Sequence, residues 1–138
     1  MDLSRRRLRE VILQTIFQLD FHQEEFEKHA LDYLDKELIS EGDKVYSKNF
    51  IVGFLKELEI IDSKIGENLK GWTLDRLSKI DLAILRLSSY EIIFLDDIPN
   101  NVSINEAVEL AKIYSDEDSR KFINGLLDSI SQEIKKED

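Results

Sequence analysis

The sequence predicts an all-α protein of about seven helices set in two halves. Three observations carry this expectation. One proline and five glycines in 138 residues leave little material for tight hairpins. Apolar residues recur at spacings of three and four along most of the chain, the period of one helical face rather than of a half-buried strand. Ser, Thr and Asp stand before several of these apolar series, where a helix needs side-chain acceptors for its first N–H groups. With 42% hydrophobic residues the chain can bury a real core, as one domain or as two small subdomains.

The first helix is expected over about residues 4 to 20, where Leu8, Ile12, Ile16 and Leu19 form a stripe flanked by Leu13 and Phe17. Arg5 and Arg9, four apart, share one of its faces. A second, acidic helix over about 23 to 39 is carried by Phe26, Ala30, Tyr33, Leu34 and Leu38. Gly42 is expected to break the chain, and Ser47 to cap a third helix running through Phe50, Phe54, Leu58, Ile61 and Ile65 to about Leu69. The stretch KGWTLDRLSKID changes character: Gly71 stops one pattern, Trp72 is the lone tryptophan, and Thr73 and Ser78 are credible caps. The boundary between the halves, about 1–70 and 71–138, is placed here. Ser78 with Asp81 resembles a capping box ahead of Ile80, Ile84, Leu87, Ile92 and Leu95, the most hydrophobic helix of the chain. Pro99 marks a loop, after which Ser103 with Glu106 is expected to open a helix whose apolar face is Ile104, Ala107, Val108 and Ala111. Ser115, Asp116 and Asp118 are candidate caps of a last helix with Phe122, Ile123, Leu126, Leu127 and Ile130 inward, and the charged tail from Gln132 is expected to fray.

Charge is distributed unevenly. Residues 1 to 9 hold Arg5, Arg6, Arg7 and Arg9 against one Asp, net +3; the remainder holds 15 basic and 28 acidic side chains, net −13, for a total of −10. A basic block at a terminus suits a polyanion, and arginine's planar fork matches phosphate and stacks on bases. The alternative is a solvated helix start. Without cysteine there are no disulfides, thiolate metal sites or cysteine nucleophiles, which fits a cytoplasmic protein. No stretch approaches the roughly 18 apolar residues of a membrane span, so neither a signal peptide nor an anchor is expected.

Enzyme chemistry finds no constellation. His22 and His29 lack the carboxylate three positions before that a di-iron bundle motif needs, and read as surface histidines. No glycine-rich loop precedes a helix, no serine sits in a nucleophile elbow, and the carboxylates fall mostly on exposed faces. Neither metal nor cofactor is expected. Arg86, in an otherwise apolar helix, requires a partner such as Glu91 or a helix-end carbonyl and reads as an internal clamp. Gly125 weakens a helix by about 1 kcal/mol relative to Ala, which points to close packing by a neighbouring helix or a partner. Phe122 reads as core by its spacing, with a base-stacking platform as the alternative.

Taken in order, the basic opening, IDLAILRLSSYEIIF, DIPNNVSINEAVELAKIYS and EDSRKFINGLLDSI resemble the NusB family of bacterial transcription antitermination factors over essentially the whole chain. The resemblance implies two small packed helical bundles, no catalysis, binding of boxA-type RNA from ribosomal RNA leaders, pairing with the ribosomal protein NusE, and indirect contact with other antitermination factors and RNA polymerase. It assigns RNA contact to Arg5, Arg6, Arg7 and Arg9, supported by Asp118, Ser119, Lys121 and Phe122. It assigns partner contact to Phe17, Phe21, Arg76 and Asp81. Leu82 departs from the family, whose members often carry a basic residue there. Two other readings stay open. NusB-like modules also occur as RNA-binding parts of ribosomal RNA cytosine methyltransferases, of which this chain would be a fragment, and a helical protein-interaction scaffold would explain the core but not the arginines.

Overall fold

A computed structural model of the chain describes residues 3–21, 24–134 and 136. Seven α-helices are present among the described residues: α1 (Arg5–Phe17), α2 (Phe26–Lys36), α3 (Glu41–Lys56), α4 (Leu58–Glu67), α5 (Lys79–Phe94), α6 (Asn100–Tyr114) and α7 (Glu117–Glu133). Short 3-10 turns follow α1 (Gln18–Asp20) and precede α5 (Leu74–Arg76). The described residues contain no strand.

The chain divides into two compact units, Met1–Lys56 and Glu57–Asp138. The division falls one helix earlier than the Gly71–Ser78 stretch expected from composition. Its cause is a break in what the periodicity reads as one long third helix. At Glu57 the backbone leaves helical geometry (φ −108°, ψ 10°) and α4 starts afresh, although Phe54, Ile61 and Ile65 continue the apolar spacing across the break and all are buried.

In the first unit α1 packs against α2 and α3. Leu8, Val11, Ile12, Leu13 and Ile16 of α1 are all 2% exposed or less, each contributing about 1.5–3 kcal/mol by leaving water. Against them stand Phe26, Ala30 and Leu34 of α2 and Phe50, Ile51 and Phe54 of α3, also buried. Leu38, expected on the core face of the second helix, lies beyond its end and is fully exposed. The third helix begins seven residues' worth of chain earlier than Ser47 suggests, because Ser40 does the capping: its Oγ accepts the Asp43 N–H at 3.1 Å, and Ser47 is buried within α3.

In the second unit α5 is the central helix, packed against α4, α6 and α7. Ile84, Leu85, Leu87 and Ile92 are at most 1% exposed. Polar groups on so buried a helix need partners, and two are clear. Arg86 meets Asp62 of α4 through two 2.9 Å bonds, Nε to Oδ1 and Nη2 to Oδ2. The clamp expected of Arg86 therefore closes on an acid from another helix. Glu91 accepts the Ser103 hydroxyl at 2.8 Å. Ser103 is thus a buried pin inside α6 and not its cap, since Pro99, with φ −60°, already delivers the chain into helix at Asn100.

Of the charged tail expected to fray, the described residues Ile134 and Lys136 make contacts with α5 and α6. Lys136 Nζ donates to the carbonyls of Glu91, Leu95 and Ile98 at 2.8 to 3.0 Å, supplying donors to the orphan C-terminal end of α5 and the turn beyond it. Burial pushes its pKa below the usual lysine value. Asn100 Nδ2 adds a 2.9 Å bond to the Ile134 carbonyl.

Candidate functional site

The arginines stand at the start of α1. Ser4 caps the helix, its Oγ accepting the Arg7 N–H at 3.2 Å, and the first turn holds no acidic residue. The side chains of Arg5, Arg6 and Arg7 are exposed and Arg9 is half-buried. Cations here oppose the helix dipole, whose positive end lies at this turn; each such charge is unfavourable by about 0.3–1 kcal/mol at low salt, and the same turn favours a phosphate. The charges are held in local arrangements. Arg5 stacks its guanidinium over the Tyr46 ring, 4.3 Å from the centroid, and Arg7 pairs with Glu10.

Phe17 and Phe21 lie at the far end of the same helix, about 18 Å along the axis from Arg5 at 1.5 Å per residue. They do not share an unbroken helix, since α1 ends at Phe17 and tightens into the 3-10 turn, with the Phe21 N–H bonded to the Gln18 carbonyl at 3.0 Å. Their rings still meet, with centroids 5.2 Å apart and planes tilted by 52°. Phe17 is half-buried and Phe21 is 60% exposed, so the pair offers apolar surface outward.

The remaining residues except Lys121 gather in the second unit around one open cleft of about 440 Å³, whose lining includes Trp72, Arg76, Asp81, Asp118, Ser119 and Phe122. Residues assigned by resemblance to RNA and to a protein partner thus share one surface. Asp81, in the first turn of α5, organises it: Oδ1 accepts the Ser115 hydroxyl at 2.8 Å and Oδ2 the Ser119 hydroxyl at 2.7 Å. Its backbone N–H donates to Ser78 Oγ at 3.2 Å, as the capping box predicts, but its carboxylate leaves the box to pin the α6–α7 turn. Asp81 is buried. Next to it, Asp116 caps α7, accepting the Ser119 N–H at 2.8 Å, and that bond holds its carboxyl below the usual carboxylate range. Asp118 is exposed, and Lys121, outside the cleft, lies 3.8 Å from Glu117.

Phe122 departs from the core face on which its spacing places it. Ile123, Leu126, Leu127 and Ile130 face inward, while Phe122 is 38% exposed and lines the cleft. Trp72, 60% exposed, is a second aromatic of that cleft which motif reading passed over; its signal was a large aromatic at a helix break, where no periodic face exists to bury it. On the neighbouring turn the Thr73 hydroxyl bonds to Asp75 and lowers that carboxyl's pKa, fixing the residue before Arg76. Leu82, where the family pattern often has a basic residue, is buried. Gly125 is exposed and a Cβ there would meet nothing within 4 Å, so no neighbouring helix requires it.

His29 Nε2 pairs with Gln18 Oε1 at 2.9 Å, and His22 lies outside the described residues. Among the described residues no group of three or more His, Cys, Asp or Glu could hold a metal ion, and no helix is long and apolar enough to cross a membrane.

Comparison with known proteins adds the family. A model of the NusB family matches residues 6–132. The transcription antitermination protein NusB of Listeria welshimeri is 46% identical over 133 residues, covering 96% of this chain and all of that protein. The protein of the same name from Clostridium novyi is 44% identical over 127 residues, covering 91% of this chain and 96% of that one. Among solved structures, T. maritima NusB superimposes with a TM-score of 0.89 at 39% identity, covering 97% of this chain and 94% of that one. A chain from a crystal structure of the antitermination factors NusB and NusE in complex with dsRNA gives 0.82 at 27% identity, covering 95% of this chain and 99% of that one. With its seven helices, its arginine-bearing first turn and a family match running from Arg6 to Gln132, the chain belongs to the NusB family.

Proposed function

We propose that this protein is an RNA-binding transcription antitermination factor that engages boxA-type RNA of ribosomal RNA leaders together with NusE, and reaches other antitermination factors and RNA polymerase through that complex, in the cytoplasm. The observation that carries the reading is the run of exposed arginines on the first turn of α1, in a chain of net charge −10. Cations at that end of a helix oppose its dipole, even with Arg5 on Tyr46 and Arg7 beside Glu10, whereas an RNA phosphate suits both the cations and the helix end. The complex of a relative with NusE and dsRNA supports both partners. The cleft of the second unit supports the division of labour: Phe122 and Trp72 offer faces for stacking or for a buried anchor, and Asp116 and Asp118 on its rim favour a basic protein and discourage indiscriminate coating by RNA.

Titration with boxA-type and scrambled RNA, with and without NusE, tests the reading. If three to five phosphates are neutralised, log affinity falls with log salt at a slope of about −2 to −3.5. Replacing Arg6 and Arg7 by Ala flattens the slope by about one to two units and weakens both RNAs alike, because phosphate contacts carry no sequence information. Full-strength binding at an unchanged slope would reduce the cluster to a solvated helix start.

A further inference from the structure

Leu3, ahead of α1, and Arg5, its first residue, are tied to a single turn of α3 by two contacts of different kinds. The Leu3 N–H donates to Asp43 Oδ2 at 2.8 Å, and the Arg5 guanidinium lies on the Tyr46 ring at 4.3 Å. Asp43 and Tyr46 are three residues apart and so share a face of α3. Both are themselves supported. Asp43 is 8% exposed and its N–H is bonded to Ser40 Oγ; the Tyr46 ring packs at 6.3 Å from Phe50, which is buried. A buried carboxylate demands a donor, and the backbone of Leu3 supplies one. Residues outside a helix and without contacts lose their freedom only when a ligand orders them, and a contact made beforehand spares binding that loss.

We propose that Asp43 and Tyr46 are positioning residues for RNA binding: they hold Leu3 and Arg5 in place on α3, so that the arginine-bearing turn meets RNA already ordered. The proposal rests on the reading of Arg5 to Arg9 as an RNA contact. Neither positioning residue touches RNA, so their effect differs in kind from that of the arginines. Loss of an arginine removes a phosphate contact and flattens the salt dependence. Loss of prior ordering weakens binding equally at every salt concentration and leaves the slope alone.

The test is an RNA titration over a salt series with the full chain, read beside the proton shifts of the Arg5 δ-methylene, which a ring current from Tyr46 displaces in the free protein. Tyr46→Leu should weaken binding about 2- to 5-fold, the equivalent of one surface cation–π contact, at unchanged slope and with the Arg5 shift lost. Tyr46→Phe keeps the ring and should restore both. Arg5→Lys, a surface change that cannot disturb the core, keeps the charge but loses the planar stack, and should also weaken binding at unchanged slope. Arg5→Ala should flatten the slope by about 0.7, one phosphate's worth for a single strand. If Tyr46→Leu and Arg5→Lys bind as the parent does while Arg5→Ala flattens the slope, the positioning role is overturned and the RNA contact stands. If none of these variants, nor the Arg6 and Arg7 pair, changes affinity, the RNA reading falls and takes the proposal with it.

Discussion

The N-terminal turns of α1 and α7 carry the two sets of residues assigned to RNA, and they are built in opposite ways. At α7 the charges agree with the helix: Asp116 caps it, Glu117 and Asp118 occupy its first turn, and all three favour the positive end of the dipole. At α1 the cap is neutral Ser4 and the first turn is arginine and holds no acid of its own, the Glu10 that pairs with Arg7 lying one turn further on. The acidic start of α7 is explained by helix stability alone and says little about function. The basic start of α1 opposes stability and so needs another cause. A residue the fold would not choose is better evidence of a binding role than one the fold already requires.

The contrast is sharpest between neighbours on α7, and the largest effect is expected there. Ile123 is fully buried, so Ile123→Ala should destabilise the protein by about 2–5 kcal/mol in denaturant unfolding, whatever RNA is present. Phe122→Ala, one residue away on the cleft side, should remove about 1–3 kcal/mol of RNA binding if the ring stacks on a base, with much less effect on unfolding. A Phe122→Ala protein that unfolds as readily as Ile123→Ala while binding RNA normally would return Phe122 to the core.

Asp81 is the next test, because it separates a contact from a support. Its two hydrogen bonds hold Ser115 and Ser119, and through them the start of α7. Asp81→Ala should destabilise by about 1–3 kcal/mol, the range for bonds to a charged acceptor whose donors can partly return to water. Weaker NusE binding by this variant should then be matched by Ser115→Ala with Ser119→Ala, which leaves the carboxylate in place but removes the pin. If the serine pair binds NusE at full strength and only Asp81→Ala does not, the carboxylate itself meets the partner.

What the sequence made legible follows from the range of the forces involved. The helical class, the core stripe of α1 and most of the apolar faces of α5 and α7 were readable because a 3.6-residue period is local information. Caps were readable where the choice was local, as at Ser78 and Asp116, and misread where tertiary contacts decided. Ser103 carries a cap's signature, yet its hydroxyl is claimed by Glu91 twelve residues earlier. The break at Glu57 has no proline or glycine to announce it, and an unbroken apolar spacing hides it. The site was legible by residue type and not by grouping. Arg76 and Asp81 lie in one cleft with Ser119 and Phe122 because α5, α7 and the turns that precede them converge there, which no spacing encodes. Asp62 beneath Arg86 and Tyr46 beneath Arg5 are likewise 24 and 41 positions away in sequence from the residues they hold.

The smallest expected effect concerns Gly125, the second residue that the fold would not choose. It sits inside α7, exposed, with open space where a side chain would go, and its helical φ needs no glycine. Gly125→Ala should therefore stabilise the protein by about 0.5–1 kcal/mol, chiefly by restricting the unfolded chain, and raise the melting temperature by a few degrees. Stability and binding can then be set against each other. Should the stabilised variant bind boxA-type RNA and NusE as well as the parent, Gly125 is merely tolerated, and unfavourable placement alone is too weak a sign of function. Should it gain stability but lose affinity for either partner, the missing side chain is space that the partner fills, and Gly125 joins the arginines of α1 as a residue retained against the interest of its own helix.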